Sequence, residues 1–548
     1  MILQTIADLK TTDGSTVTNG FANVLGYWNV NDGGGGEFYW DSISTEDDNT
    51  GTIFEVSGVI TGRWKRLFSG VVNVKWFGVV NGLDFSKGLQ NRLNLQKALD
   101  LSKVLGGMAI NFSKGDYVLD VAVPLNIPSH TTLSGIVGKS MIHIDPATIV
   151  NMSTRPYPLT NSSVFFSTDD GNQPLWSNGT SVKNITINGI SMTCDYTRGS
   201  LPTGYDLKGI TILAGTNINI TNCNFNNIPQ TGIYVNNCNT WKITNNTAIG
   251  CGFGHATAPA TNNGISTAGQ GVSTDLTQQC TSGAISNNIC NYNRDEGIQF
   301  GFTRGVVITS NVCIGNGDLG IEGDTTYNSS STEASLGIEI PSQAVISNNY
   351  VDGLKQDGTY GKGGIGFAGG NEGIVIISNN LIKNLTGKPA IAANQISGGK
   401  CLIDGNFIDR VDPDATQHQI SINIEDVTVT NNRFARQGNS NHHADIYIAG
   451  TVISADVRNN NSDGNYNFIS LYTYQAGLDG ILKNINICDN QCKKSISSTV
   501  SIRTDLDQAI DIINIERNQF YNLNSSHASN QYGVILTQKV TNDVTINS

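Results

Sequence analysis

Along most of the chain the apolar and polar positions repeat one phrase: an aliphatic residue, two small or polar positions, then Asn. Well-formed copies start at Ile243, Ile285, Ile308, Ile346, Ile377, Ile403, Val429, Val457, Ile487 and Ile515, with looser ones at Ile187 and Ile220. Repeats on this scale indicate a solenoid. The shortest step, 23 residues from Ile285 to Ile308, is too short for a helical pair with its turns. It suits one coil of three short strands. Before each anchor apolar and polar residues alternate, as in Val427-Thr428-Val429 and Ile485-Asn486-Ile487, the period of a strand with one buried face. A second alternating strand often opens with Gly-Ile, at Gly232, Gly297, Gly320 and Gly364. Stacked coils place like residues about 4.8 Å apart, so the aliphatic residues stack inside. The Asn is expected at the turn, tolerating left-handed backbone and forming an amide ladder. The pattern predicts an all-β chain, a right-handed parallel β-helix over residues 116–548.

Two segments precede it. Residues 1–70 read as a small Trp/Gly-rich β module, with Trp28, Trp40 and Trp64 inside it and Trp76 just beyond. Asp32, followed by four glycines, is expected in a tight loop or hairpin rather than a calcium-binding repeat, because one copy stands alone. Residues 71–115 form a connector with a short strand and a helix over 94–104. Leu95, Ala98, Leu99 and Leu101 supply the helix's apolar positions, and Gly106-Gly107 ends it. A solenoid end needs covering, and this helix is placed to cap it.

Composition narrows the partners. Charged residues are 14% of the chain and the net charge is −12, with no basic stripe, which excludes a nucleic-acid partner. No stretch is long and apolar enough for membrane insertion, and the first residues lack the regions of a signal peptide. Cys290, Cys313 and Cys492 share one register of the repeat and read as interior apolar thiols. Cys488 and Cys492 have no His or Cys set at metal-ligand spacing around them. Folding in a reducing cytoplasm follows.

The connector carries a resemblance. Phe77-Gly78, the helical run from Leu95 to Asp100, Gly106-Gly107, Ile110-Asn111-Phe112 and Gly115-Asp116-Tyr117-Val118 follow one another. In that order they resemble the entry to the pectate-lyase-like β-helix superfamily, which includes phage tailspike depolymerases. The usual Asp-Gly-x-x-Asp-Asp run is replaced here by Asn81-Gly82-Leu83-Asp84-Phe85-Ser86. The Trp-rich module resembles segments that precede β-helices in tailspike-like and bacterial surface proteins. The resemblance implies a homotrimer, contact of the N-terminal region with virion tail proteins, and a place on the virion tail after folding in the host cytoplasm. A secreted or cell-surface bacterial protein is the alternative. The last segment starts a further repeat at Asp543, so its open end is expected to be covered by another chain or to reflect truncation. The superfamily holds hydrolases, lyases, epimerases and inactive binders, so chemistry must come from the residues.

One stretch gathers acidic residues on adjacent coils. Aligning Gly297-Ile298 with Gly320-Ile321 puts Asp295 and Asp318 in one slot, 23 residues apart. Ile298 and Ile321 point inward, so Gln299, Glu322 and Asp324 face out, while Glu296 sits at the turn and can face either way. Carboxylates held roughly 5 Å apart suit a retaining glycosidase and roughly 6.5–9.5 Å an inverting one. Crowding raises the pKa of one member, which makes a general acid. The candidate catalytic residues are Asp295, Glu296, Asp318, Glu322 and Asp324. Arg294 and Arg304 are candidates for an acidic sugar or for holding a carboxylate ionised. Gln299, Tyr234, His255 and Tyr327 are candidates for sugar contacts, and the long loops 252–282 and 325–343 for groove walls. No cofactor is called for, with Ca²⁺ on the same carboxylates as the alternative. The cluster Asp404, Asp409, Arg410, Asp412 and Asp414 reads as a solvated face. His442-His443 with Asp445 reads as a surface loop, and Asp352, Lys355, Asp357 and Lys362 as an exposed Gly-rich loop.

The resemblance implies a tailspike-type, receptor-binding depolymerase acting on a bacterial surface polysaccharide (capsule, O-antigen or exopolysaccharide), and the paired carboxylates point to glycosidic hydrolysis. A non-enzymatic carbohydrate-binding spike or adhesin, and a polysaccharide lyase acting by β-elimination, are the alternatives.

Overall fold

The repeat anchors pair with one another. Ile187, Ile220 and Ile243 stand in register on the parallel strands Val182–Asn188, Gly215–Thr221 and Asn239–Thr244. From Ile285 onward the same holds, rung by rung, through Ile308, Ile346, Ile377, Ile403, Val429, Val457, Ile487 and Ile515. The computed structural model describes residues 1–150, 163–167, 182–202, 204–254, 262–268, 280–301, 303–324, 343–368, 373–409, 418–435, 443–472, 474–475, 478–479, 482–503, 510–521, 532–536 and 540–547. Two units are distinguished, 1–260 and 261–548.

The first unit begins with a five-stranded sheet: Ile2–Leu3, Phe21–Val24, Gly36–Asp41, Ile53–Glu55 and Arg63–Arg66. The helix Ile6–Lys10 starts on a capping box made by Thr5 and Asp8. Ile6, Leu9, Val24, Phe38, Phe54 and Trp64 form the module's core, and Trp40 meets Trp64 edge to face at 5.4 Å. The glycine run is a loop anchored by Asp32. Its carboxylate accepts the backbone N–H groups of Tyr27, Trp28, Asn29 and Gly34 at 2.7–3.0 Å. Burial works to raise the Asp32 pKa, but these four donors outweigh it and hold the group below its ordinary range.

The helix Gly88–Val104 starts six residues earlier than the apolar spacing indicates. It buries Leu95, Ala98 and Leu99 against the first rungs, Met108–Asn111, Gly115–Leu119 and Leu125–Ile127. Buried Asn91 fastens it there: its Oδ1 accepts from Val80 N–H at 2.7 Å and its Nδ2 donates to Val118 O at 3.0 Å. The rungs that follow in this unit are parallel throughout.

The second unit is a stack of coils, each with up to three short strands that pair in parallel with those of the next coil. The Asn of the repeated phrase is buried and joined to its successor. Asn432 is representative: its N–H and Nδ2 both donate to Asn460 Oδ1 at 3.0 Å, and its Oδ1 accepts the same two donors from Asn406. Its Nδ2 also donates to Ile403 O at 2.9 Å. The left-handed residue, however, is the one before: Asn287, Ser310, Asn348, Asn379, Gly405, Asn431, Asn459, Asp489 and Arg517 all have φ between 52° and 66°. Turn and ladder are thus divided between two neighbouring positions, not combined in one.

The Gly-Ile strands pair in parallel with one another from coil to coil. A Cβ on Gly320 would stand 2.4 Å from Val351 Cγ1, so this slot stays small while the aliphatic anchors fill the interior. All ten cysteines are free and buried, and Cys290, Cys313 and Cys492 lie on the inward-facing strands Ile289–Asn291, Val312–Ile314 and Gln491–Cys492. Among the described residues no helix is long and apolar enough to cross a membrane.

Candidate functional site

Four rungs of the second unit carry the acidic stretch: Ile265–Ala268, Ile298–Gly301, Leu319–Asp324 and Gly363–Ala368. Ile265, Ile298, Ile321 and Ile365 are paired and buried beneath them. The next position faces the other way, and there Ser266, Gln299, Glu322 and Gly366 form one column. At the corner before each strand a second column runs Asn262, Asp295, Asp318, Lys362, Lys388. Its backbone is tied rung to rung: Asp295 N–H to Asn262 O at 3.4 Å, Asp318 N–H to Asp295 O at 2.9 Å, and Lys388 N–H to Lys362 O at 2.8 Å. The column passes from amide through two carboxylates to two ammonium groups.

Asp318 is therefore bracketed. Lys388 Nζ lies 2.8 Å from its Oδ1 and Lys362 Nζ 3.9 Å from its Oδ2. Asp295, one rung back, is partly buried. Burial raises its pKa, the Asn262 side chain and Arg294 lower it, Asp318 raises it, and the balance lies above the ordinary carboxylate value. Gly317 packs against the carbonyl of Arg294 so closely that a Cβ there would sit 1.7 Å away.

Glu296 is the most perturbed member. It is 7% exposed, and its N–H donates to Asn263 Oδ1 at 3.1 Å. Burial, then the negative charges of Glu322, Asp295 and Asp318, push its pKa up to about 9. Gln299 covers the same ground: its Oε1 accepts from Asn263 Nδ2 at 2.7 Å and Ser266 Oγ at 3.3 Å. The result is a buried carboxyl whose pKa is raised by the charge of a second, Glu322, which stands in the column turned away from the core. Such a pair can donate a proton from one member while the other acts as base or nucleophile. Among the described residues no group of three or more His, Cys, Asp or Glu is arranged to hold a metal ion.

The other candidates divide. Asp324 closes its strand with its backbone between Gly301 and Ala368, and Arg304 pairs with Thr281 and Gln343 on the neighbouring strand Thr303–Thr309. The side chains of both, together with His255, Tyr327 and most of the two long loops, lie outside the described residues. Tyr234 belongs to the first unit, where Asn236 Nδ2 donates to its hydroxyl at 2.6 Å.

Two readings are corrected. Lys362 is exposed, as expected, and also shares the column and the charge of Asp318, but Asp352 of the same group is buried at the end of the strand Tyr350–Asp352, 3.2 Å from Lys383 Nζ. The signal for the column was present in the sequence: Lys362 stands two residues before Gly364, as Asp318 stands before Gly320 and Asp295 before Gly297. Lys388 was missed because its rung carries Ala390 in the glycine slot. Asp445 lies in no surface loop. It is fully buried and accepts from Gln419 Nε2 at 2.9 Å and from Ser462 Oγ. Its carboxylate occupies the inward corner slot that glycine fills elsewhere.

Comparison with known proteins bears on the two ends of this description. Residues 2–69 match the family described as phage tail protein small four-stranded beta-sheet domain. Residues 208–408 match the right handed beta helix region. No curated protein sequence is significantly similar to the chain. Among solved structures, the gp42 tailspike of Acinetobacter phage vb_AbaP_AS12 is 13% identical over 93% of this chain and 74% of its own, with a TM-score of 0.48. The Streptococcus pneumoniae surface protein and adhesin PfbA is 17% identical over 84% and 99%, at 0.47. The tailspike gp49 of Acinetobacter baumannii bacteriophage Fri1, a capsular polysaccharide depolymerase, is 13% identical over 98% and 76%, at 0.43. Likeness of this order transfers no residue and no activity. With the parallel rungs and the two family matches together, the chain is a right-handed parallel β-helix protein carrying a small β-sheet module of the phage-tail type.

Proposed function

We propose that this protein is a phage tailspike-type depolymerase that hydrolyses a bacterial surface polysaccharide, with Glu296 as general acid and Glu322 as the complementary base or nucleophile. The observation that carries this reading is the buried Glu296 carboxyl, its pKa pushed up by burial and by the charges of Glu322, Asp295 and Asp318, beside a parallel sheet that turns Gln299 and Glu322 outward. Glycosidic cleavage needs a proton on the leaving oxygen and a second carboxyl opposite. Asp295 and Asp318 support the acid by keeping negative charge near it, while Lys362 and Lys388 limit that charge at one end. The phage-tail module at residues 2–69 supports a place on the virion tail. The homotrimer implied by the family resemblance belongs to the same proposal.

The test is digestion of purified host capsule, O-antigen or exopolysaccharide. Hydrolysis gives new reducing ends without the ultraviolet absorbance of an unsaturated uronate; appearance of that absorbance refutes hydrolysis and favours elimination. Glu296→Gln and Glu322→Gln are expected to lower kcat by about 10²–10⁴-fold while polymer binding persists. A wild-type protein that binds polymer and never cleaves it is a binding spike instead.

A further inference from the structure

Two outward columns of the second unit do not follow the polar pattern of a solvated surface. On the strands that carry the aliphatic anchors, the position before the anchor faces out. There Ala284, Val307, Val345, Ile376 and Leu402 stand in register on five successive coils, and Val307 is 42% exposed. On the short strands that follow the ladder Asn, the outward column over the same coils is Ile289, Val312, Tyr350, Leu381 and Phe407. Both columns turn polar on the next coil. Thr428, Asp456, Asn486 and Asn514 continue the first; Arg433, Asn461, Gln491 and Gln519 continue the second. The Arg433 guanidinium lies over the Phe407 ring, 5.5 Å from its centre, at this boundary.

Single exposed apolar residues need no explanation, but two aligned stripes with a common boundary do. The core does not require them, because Ile308 and Ile346 on one side and Cys313 and Val351 on the other already fill it. Nor do mostly aliphatic side chains suit a carbohydrate. The stripes flank one corner, the turn of the Asn ladder. A closed ring of identical chains covers two such faces in every copy, one against the copy before and one against the copy after. Size agrees with this. The strand Thr303–Thr309 has seven residues and Val312–Ile314 three, so at about 3.3 Å per residue and about 4.8 Å per coil the two faces together measure roughly 800 Å². A stable interface takes about that much from each partner.

We infer that copies of this chain pack around the corner of Asn311, Asn349 and Asn380, the side bearing Ile376 of one copy against the side bearing Leu381 of the next. The number three rests on the homotrimer of the proposed function; the surface rests on the register alone. The third side of these coils carries Gln299 and Glu322 and faces away from both neighbours, so each copy holds its carboxylates complete.

Sedimentation equilibrium on the full chain tests the surface, with circular dichroism as the check of folding. Ile376 and Leu381 lie on the same coil, so each meets the other across the contact. Ile376→Lys with Leu381→Lys sets like charges there and is expected to give folded single chains. Ile376→Lys with Leu381→Glu sets opposite charges there and is expected to restore the trimer. Ile376→Ala with Leu381→Ala, which adds no charge, is expected to weaken assembly at least about tenfold. Asn486→Lys with Gln491→Lys, beyond the apolar boundary, is expected to leave the trimer intact. A wild-type chain that sediments as a monomer overturns this inference and the homotrimer together. A wild-type trimer that survives the Lys/Lys or Ala/Ala change, or that Lys/Glu does not restore, overturns the surface alone.

Discussion

The pair of residues that ends each repeated phrase shows how much one position can differ from its neighbour. Asn431 sits in left-handed backbone and offers its Nδ2 to Asp404 Oδ1 at the surface, so Asn431→Gly is expected to change stability by less than about 1 kcal/mol. Asn432 is buried in the ladder with both donors and its acceptor engaged. Asn432→Ala is expected to cost at least about 2 kcal/mol, because each buried partner left open costs about 1–3. Chemical denaturation of the two variants side by side measures the difference. Glu296 gives a second residue-scale prediction. Its folded pKa is raised from 4.5 to about 9, so the folded state holds the proton more tightly than the unfolded chain. The stability this contributes is full below about pH 4.5 and is lost as pH rises toward 9. Glu296→Gln mimics the protonated form, so it is expected to remove that decline and to melt higher than wild type at pH 8–9, while cleavage falls. In the wild type, cleavage is expected to decline as pH passes about 9, as the acid loses its proton.

At the level of elements, the corner before each outward strand decides where the side chains of the site stand. Gly320 packs against Val351 and the carbonyl of Gly364, and the strand it opens carries Glu322. Gly320→Ala is expected to push that rung outward, costing about 1–3 kcal/mol and lowering cleavage more than binding; thermal melting and kinetics on one preparation read both. The capping helix is held differently, by polar groups reaching into the first coil. Asn91→Ala leaves Val80 N–H and the Val118 carbonyl without their buried partner and is expected to cost about 1–3 kcal/mol.

Across the whole molecule, the proposed function assigns attachment to the module matched at residues 2–69 and cleavage to the β-helix. Asp32 organises the module's glycine loop through four backbone donors. Asp32→Ala is expected to loosen residues 26–36, seen as faster proteolysis there, and to weaken attachment to a virion tail while cleavage by residues 295–322 continues. Loss of cleavage in that variant would contradict this division of labour. Light scattering in solution measures the subunit number, expected to be three.

What was legible in the sequence followed from translation. A solenoid repeats its environment every coil, so the aliphatic anchors, the ladder Asn and the slot shared by Asp295 and Asp318 all recur at readable offsets. That periodicity settled the strand register and placed the acidic stretch on one sheet. It also contained Lys362, unread because its loop looked merely exposed. The tertiary structure decided what depends on distance and dielectric rather than on offset. Only packing shows that Glu296 is buried among like charges that raise its pKa, and that Asp318 is bracketed by lysines from two later coils. Packing likewise turns Asp445 into the core. Periodicity assigns residues to columns; burial decides which of them can hold a charge.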